Sequence, residues 1–268
     1  MRLFVFEGET EKRHFDTLKL LFFKQQEDDV CIYRSNIYSL YSKMKEYDVF
    51  GGDYADTVSV LHEILMEKGD NSLSPIIESG NIVSEIFLFF DYDFHDKHIA
   101  LEEINKRLSE MLNFFCEETE NGKLYINYPM AKSYRYVKSL TDANFVSYNV
   151  TREESHDFKK FVSEFSPFSI EHFALSEQEL RNAEKAAKRL PPIKANWIAL
   201  IPLNVCKANF LCNGINEIPT DKDSINQQRV FNSQLTQFVS QEPCRVSVLS
   251  SFPLFLFEYL KAESLSTL

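Results

Sequence analysis

Glycine and cysteine are scarce in this chain, and each scarcity excludes a class of site. Only 7 glycines occur among 268 residues, and no glycine-rich phosphate loop is present, so we do not expect the chain itself to bind ATP. The 5 cysteines have no Cys-x-x-Cys spacing, so they predict neither a disulfide framework nor a zinc site. Buried free thiols in a reducing compartment are the interpretation that this pattern favours.

Long apolar runs and a signal peptide are missing as well. No uncharged apolar segment approaches the roughly 20 residues that a membrane span needs. The chain passes directly from Met1 and Arg2 into a strand-like run, without the apolar stretch and cleavage site of a secretory leader. We therefore expect a cytoplasmic protein that does not enter the membrane.

Positive charge is also in short supply. The chain has 29 Lys and Arg against 40 Asp and Glu, which gives a formal net charge of −11. This balance argues against broad, non-specific adhesion to nucleic acid. A nucleic-acid enzyme with this composition needs a local basic surface or a partner that brings the substrate.

Aromatic residues, in contrast, are abundant, and apolar patterning divides the chain into two parts. The 24 Phe and 12 Tyr can build a large core. Short apolar runs predict strands at 2–6, 30–33, 85–90, 124–127 and 145–150. Helical spacing between them predicts helices from Thr10, at 37–68 with a break near Gly51-Gly52, at 99–116 and from Pro129 to Tyr136. This alternation predicts an α/β fold with a mainly parallel sheet flanked by helices.

The strand signals fade beyond Asp157, and the rest of the chain predicts a helical C-terminal region. Helices are expected at 175–190, 195–210, 225–239 and 246–260, with Pro191-Pro192 and the polar stretch 213–223 between them. Thr151 is expected to cap a helix that starts at Arg152. We therefore predict two domains, 1–160 and 161–268.

Carboxylates follow two of the predicted strands. Glu7 comes directly after the first strand and Asp91 directly after the strand at 85–90. Ligands of open parallel sheets bind beyond the carboxyl ends of the strands, which is where both residues are expected. Asp93 lies two residues after Asp91, so both side chains would point the same way in extended backbone. Glu11 lies four residues after Glu7, across a turn that enters a helix.

Such a group of carboxylates requires a positive counter-charge, because ionised carboxylates repel one another. A hard divalent cation, Mg²⁺ or Mn²⁺, suits oxygen ligands of this kind. Two such ions would also suit in-line attack at a phosphodiester. A receiver-like or phosphatase-like fold clusters acids at strand ends too, but its aspartyl-phosphate chemistry does not need Glu-Gly after the first strand.

At these residues the sequence resembles a known family. A strand ending in Glu-Gly-x-Thr-Glu (7–11), followed by a later strand ending in Asp-x-Asp (91–93), looks like the Toprim domain, which has a Rossmann-like fold. The variant is similar to OLD-type nucleases and to stand-alone Toprim proteins of abortive-infection and other anti-phage operons. The runs Asn127–Met130, Ser133-Tyr134 and Ser155–Lys159 also resemble those stand-alone proteins, and the resemblance covers about residues 1–160.

The resemblance implies a Toprim catalytic domain at 1–160 and a metal-dependent nuclease that hydrolyses DNA or RNA. It implies catalysis by Glu7, Asp91 and Asp93, and metal ligation by these three residues together with Glu11; Glu7 is alternatively a general acid or base. It also implies action beside an ABC-type or AAA ATPase subunit in an anti-phage system. The further Ser-x-Glu element and the catalytic lysine of OLD-type enzymes have no match, and Ala131-Lys132 stands where an acid is expected.

Several weaker signals surround this constellation. The stretch with Lys132, Arg135 and Lys138 is the local candidate for nucleic-acid binding, together with Tyr134 and Tyr136. Lys132, Lys159 and Lys160 are candidates for stabilising charge in the transition state. Further candidates, for orienting substrate or a metal-bound water, are His95, Asp96, His98 and His156-Asp157. Each of these has a plain structural alternative as a surface or helix-start residue.

Two kinds of function are therefore left open by the sequence. The first is the metal-dependent nuclease, with nucleic acid as substrate and an ATPase as partner. The second is a non-catalytic interaction subunit of an ATPase-containing defence complex, whose acidic site is vestigial. Homo-oligomerisation is compatible with both.

Overall fold

The computed structural model describes residues 1–23, 28–35, 37–49, 56–80 and 82–260, and its fold is α/β. The main sheet consists of β1 (Arg2–Phe6), β2 (Asp28–Ile32), β3 (Glu85–Asp91), β4 (Cys116–Glu117) and β5 (Gly122–Asn127). These strands lie in the order β2-β1-β3-β5-β4. β1 pairs in parallel with β2 and β3, whereas β4 and β5 are antiparallel. The predicted α/β fold with a mainly parallel sheet is confirmed, and the Toprim assignment stays a prediction.

Helices lie between these strands and after them along the chain. They are α1 (Glu9–Phe22), α2 (Ile37–Val49), α3 (Thr57–Glu67), α4 (Ser74–Glu78), α5 (Leu101–Phe114), α6 (Arg152–His156), α7 (Phe158–Phe165), α8 (Glu177–Leu180), α9 (Ala183–Asn213), α10 (Gln227–Gln234) and α11 (Ser251–Tyr259). The predicted break near Gly51-Gly52 falls outside the described residues. Within the described ranges, no helix combines the length and the apolar composition that a membrane span requires.

Strand β1 has neighbours on both sides, and all five of its residues are buried. A strand covered on both faces is expected to be continuously apolar, which explains the run from Leu3 to Phe6. Aromatic rings reinforce its pairing with β3, since the ring centroids of Phe4 and Phe87 are 4.9 Å apart. The register sets Phe6 opposite Phe89, so β1 and β3 reach the same edge of the sheet.

The chain forms two compact units that interleave along the sequence. The first contains Met1–Lys12, Gln25–Phe90 and Lys106–Leu124; the second contains Arg13–Lys24, Asp91–Asn105 and Tyr125–Leu268. The second unit has an aromatic cluster around Trp197, whose ring nitrogen donates to the Phe173 carbonyl at 2.7 Å. The predicted division at residue 160 concerns sequence domains rather than such units, and it stays a prediction.

The predicted strand at 145–150 is wrong over most of its length. A 3₁₀ helix occupies Ala143–Ser147, and only β6 (Asn149–Thr151) is extended, paired antiparallel with β7 (Arg245–Ser247). Asp142 explains the difference, because its carboxylate accepts hydrogen bonds from the backbone N–H groups of Lys138 (3.0 Å) and Asn144 (3.1 Å). Such local bonds compete with strand pairing and stabilise a turn.

The predicted helix break at Pro191-Pro192 is also wrong, because α9 continues through both prolines. Each proline removes one backbone donor and leaves the carbonyl four residues earlier without its helical partner. Those carbonyls belong to Ala187 and Lys188, which are exposed, so water can satisfy them. One face of the helix meanwhile buries a long series of apolar side chains, which favours continuation: Ile193, Trp197, Leu200, Ile201, Val205 and Ala208.

Two further predictions need correction. The stretch 246–260 begins in β7 and becomes helical only in α11, because Val246 belongs to the antiparallel pair with β6. The cysteines are free thiols, as expected, but only Cys31 is buried and Cys116 is exposed. The capping prediction is confirmed: Thr151 and Glu154 form a capping box at the start of α6.

Lys207 is a fully buried cation in the second unit. Its Nζ donates to the carbonyls of Phe145 (2.9 Å) and Tyr148 (2.6 Å) and lies 4.5 Å from the centroid of the Phe145 ring. Burial lowers the pKa of this ammonium well below its ordinary value. The side chain therefore ties α9 to the 3₁₀ helix Ala143–Ser147 without help from an ion pair within the described residues.

This burial predicts a specific pH dependence of stability. The folded state holds the Lys207 proton less tightly than the unfolded state, so the free energy of unfolding rises with pH up to the ordinary lysine value of about 10.4. Lys207→Met should lack this contribution. Urea unfolding of both proteins between neutral pH and about pH 10 is the measurement, and parallel pH curves would contradict the prediction.

Candidate functional site

The first pair of predicted ligands, Glu7 and Glu11, lies in the first unit at the turn from β1 into α1. The carbonyl of Glu7 accepts the backbone N–H of Arg34 at 3.1 Å, which fixes the backbone just after β1. Glu11 is buried, with 8% of its surface exposed. A Cβ at Gly8 would lie only 3.3 Å from Oε2 of Glu11, so the glycine leaves room for this carboxylate to fold back over the turn.

The second pair, Asp91 and Asp93, lies in the second unit. Asp91 is the last residue of β3, and its Oδ1 accepts a hydrogen bond from the side-chain amide of Asn127 at 3.3 Å. Asn127 is fully buried, and its Oδ1 accepts from the backbone N–H (3.0 Å) and the hydroxyl (2.8 Å) of Ser251. The end of β5 and the start of α11 thereby hold the amide that orients Asp91.

Asp93 does not continue the strand, so the extended backbone predicted for it is wrong. Its φ is 54°, a left-handed conformation that Asp tolerates better than most residues. Its carboxylate has no hydrogen bond or ion pair from the described part of the chain. Burial raises the pKa of this carboxyl. The charge of Asp96 raises the pKa further, whereas the charge of His95 lowers it.

The loop after Asp93 is held by Arg152. This guanidinium donates to the carbonyl of Phe94 at 3.0 Å and to the carbonyl of Asp96. The His95 ring has a buried Nδ1 without a partner in the described residues, and its centroid lies 6.3 Å from that of His156. The structure therefore brings these two predicted histidines together.

The other loop residues have local structural contacts. Asp96 accepts the backbone N–H of His98 at 2.8 Å, which closes a turn, and His98 itself is exposed. Asp157 lies beside His156, 3.5 Å from its Nδ1, and both are exposed. These contacts are those of ordinary loop and helix-start residues.

The residues of the predicted nucleic-acid face lie in different local environments, and the face itself stays a prediction. Lys132 and Arg135 lie on a 3₁₀ helix, Ala131–Arg135, whereas Lys138 follows it, is exposed, and places Nζ 5.0 Å from the Phe165 ring centroid. Tyr134 is buried and shares a hydrogen bond of 2.6 Å with His14, so it belongs to the core rather than to a surface that stacks bases.

A complete metal centre is not visible in the described ranges. They contain no group of three or more His, Cys, Asp or Glu side chains arranged to hold a metal ion. Glu7 and Glu11 belong to one unit, Asp91 and Asp93 to the other, and the four-ligand site stays a prediction. The chemistry of the donors nevertheless suits a hard cation, and the unpaired, half-buried carboxylate of Asp93 is a group that such an ion would stabilise.

Sequence reasoning missed Asn127 and Arg152 as residues that organise the acidic loop. The sequence does contain a pattern that could have indicated Asn127. This polar residue ends the apolar strand predicted at 124–127, just as Glu7 and Asp91 follow the strands predicted at 2–6 and 85–90. Arg152 gave no comparable signal, since its contacts are with backbone carbonyls 56 and 58 residues earlier in the chain.

Removing the Asn127 amide should destabilise the protein. Asn127→Ala leaves the buried N–H of Ser251 without its acceptor, at a cost of about 1–3 kcal/mol in the free energy of unfolding. Chemical denaturation measures this cost. Asn113→Ala on the exposed surface of α5 is the control and should lie within about 0.5 kcal/mol of wild type. Equal effects of the two substitutions would contradict the assigned role of Asn127.

Neutralising Asp93 should stabilise the metal-free protein. Because the folded-state pKa is raised, wild type loses stability as pH rises from the ordinary Asp value of about 3.9 through the folded-state value. Asp93→Asn removes the charge and keeps a residue that tolerates positive φ. We expect a gain on the order of 1 kcal/mol at neutral pH in chelator, vanishing below about pH 4.

The check is denaturation of wild type and Asp93→Asn across this pH range, with exposed Asp157→Asn as control. A variant that is less stable than wild type at neutral pH without metal would show that the carboxylate has a stabilising partner.

Comparisons of the whole chain with models of protein families, with curated proteins and with solved structures give no match.

Proposed function

We propose that this protein is a Mg²⁺- or Mn²⁺-dependent Toprim-type nuclease that hydrolyses phosphodiester bonds in DNA or RNA. The observation that carries the proposal is the pairing of β1 with β3, two adjacent parallel strands that reach one edge of the sheet. Glu7 follows the first and Asp91 ends the second. In open α/β sheets this edge is where ligands bind.

The proposed metal ligands are Glu7, Glu11, Asp91 and Asp93. Support comes from the room that Gly8 leaves for the Glu11 carboxylate and from the unpaired state of Asp93. Oxygen donors of this kind prefer hard divalent cations. Since no group of ligands is preformed among the described residues, we expect the ion to organise these side chains as it binds.

The bound ion and the residues around it would have separate roles in hydrolysis. A bound ion would supply charge to activate water and to stabilise the leaving oxygen. Asn127 would orient Asp91 through its amide, and Gly8 would leave space for Glu11. Glu7 would act as a ligand or, alternatively, as a general acid or base.

The biological setting belongs to the proposal and follows from the resemblance alone. We propose an effector of an anti-phage system that acts beside an ATPase subunit. The net charge of −11 agrees with a nuclease whose substrate is delivered by a partner, because a strongly acidic protein repels nucleic acid at long range.

Nuclease assays with matched variants test the proposal. Purified protein, alone and with a co-encoded ATPase, is incubated with plasmid, single-stranded DNA and tRNA in Mg²⁺, Mn²⁺ or chelator. We expect cleavage only with metal, and a loss of about a hundredfold or more in Glu7→Gln and Asp91→Asn, because metal-ion stabilisation of a transition state is worth several kcal/mol.

Glu9→Gln is the control, since Glu9 is an exposed neighbour whose carboxylate is 3.0 Å from Arg34. It should cleave at the wild-type rate. No cleavage of any substrate by wild type, or cleavage by Glu7→Gln and Asp91→Asn at the wild-type rate, would refute catalysis. Metal-induced stabilisation of wild type that Asp93→Asn lacks would locate the ion independently of turnover.

A further inference from the structure

Three cationic side chains lie on two packed helices of the second unit. Lys132 and Arg135 are three residues apart on the 3₁₀ helix Ala131–Arg135. A 3₁₀ helix has about three residues per turn, so these two side chains lie one above the other on the same face. α7 packs against this helix, and Lys159 is in its first turn. The two elements thus bring together three positive charges, which we call the Lys132 cluster.

The Lys132 cluster lacks internal counter-charges. Within the described ranges, none of the three side chains forms a hydrogen bond or an ion pair. Arg135 is 8% exposed, and its Nε is buried without a partner. The pKa of Glu171 is lowered chiefly by a hydrogen bond with the Ser169 side chain, and less by the charges of Arg13 and Arg135; its ion pair is with Arg13 at 3.8 Å.

This arrangement is unfavourable unless an anion joins it. A buried guanidinium nitrogen without an acceptor costs free energy, and like charges close together add to that cost. Burial lowers the pKa of Lys132, and the charges of Arg135 and Lys159 lower it further. A bound oxyanion would provide the missing acceptor and reverse the repulsion.

The kinds of donor indicate which oxyanion fits. A guanidinium offers a planar fork of N–H groups, and two ammonium groups add compact charges, a combination suited to phosphate oxygens. Three positive charges also exceed what a single carboxylate would neutralise. We propose that Lys132, Arg135 and Lys159 bind one phosphate group. None of the four proposed metal ligands takes part, so this site does not depend on nuclease activity.

Neighbouring lysines supply matched controls because they have other contacts. Nζ of Lys160 is 3.8 Å from Glu164, and Nζ of Lys138 lies over the Phe165 ring. Both are exposed and carry the same charge as Lys132 and Lys159. A general electrostatic effect would therefore appear equally in variants of all four lysines.

Calorimetric titration of the full chain with inorganic phosphate, at constant ionic strength kept with chloride, tests the site. Lys132→Met and Lys159→Met should each weaken phosphate binding about tenfold, as expected for loss of one charge-assisted contact. Lys138→Met and Lys160→Met should change it less than about twofold. Lys159 is exposed, so its substitution tests the proposal even if an Arg135 variant fails to fold.

Two more titrations identify the source of the phosphate. A nucleoside monophosphate and an oligonucleotide, with and without a terminal phosphate, are compared with inorganic phosphate. If the oligonucleotide without a terminal phosphate binds, and the variants weaken its binding in the same order, the site binds backbone phosphate. If the oligonucleotide binds only with its terminal phosphate, the site binds strand ends. Absence of binding for every ligand, or equal weakening by Lys159→Met and Lys160→Met, would overturn the proposal.

Discussion

The parallel pairing of β1 with β3 is the constraint on which the rest of the architecture depends. β1 lies between β2 and β3 and is buried throughout, so its side chains cannot change without disturbing both neighbours. Its register with β3 is fixed by apolar contacts, among them the Phe6 and Phe89 rings at 5.3 Å. A slip of one residue would turn every side chain to the opposite face. The position at which each strand ends is therefore fixed together with the core.

Some buried polar groups of this protein have hydrogen-bond partners, and others have none within the described residues. Asn127 and Lys207 are fully buried, and each has its hydrogen-bond partners within the second unit. The Nε of Arg135 is buried and has none within the described ranges. Unsatisfied buried groups are rare in proteins and call for an explanation. The proposed phosphate would give the Arg135 Nε an acceptor, and the proposed metal ion would give the half-buried Asp93 carboxylate a counter-charge.

Sequence patterns predicted the parts of the fold that depend on local composition. The strand at Arg2–Phe6 and the strand that ends at Asp91 were predicted because buried parallel strands are short and continuously apolar. The stretch 145–150 also contains β-branched and aromatic residues, but the carboxylate of Asp142 stabilises a turn there. Such side-chain hydrogen bonds leave no periodic pattern in the sequence. α9 continues through Pro191-Pro192 because of burial along its length, which only the tertiary structure reveals.

The same limit applies to the candidate site. The order of the acidic motifs along the chain predicted a site of Glu7, Glu11, Asp91 and Asp93, since each motif comes at or after the end of a strand. No sequence pattern indicated that Asp93 leaves the extended conformation at φ 54°, because this depends on the loop that Arg152 holds. Sequence reasoning also grouped Lys138 with Lys132 and Arg135 by proximity in sequence, but it could not show that α7, which carries Lys159, packs against their helix.

Asp93 and the Lys132 cluster carry opposite charges that do not pair with each other, which supports a common explanation for the proposed metal site and the proposed phosphate site. Asp93 and the Lys132 cluster all belong to the second unit, yet no ion pair joins them within the described ranges. Mutual neutralisation would be the simplest way to satisfy a half-buried carboxylate and a buried guanidinium. An enzyme of phosphodiesters needs these charges separate, because the carboxylate must meet a cation while the cations must meet phosphate. The unneutralised state of both groups is what this chemistry requires, at the cost of stability in the free protein.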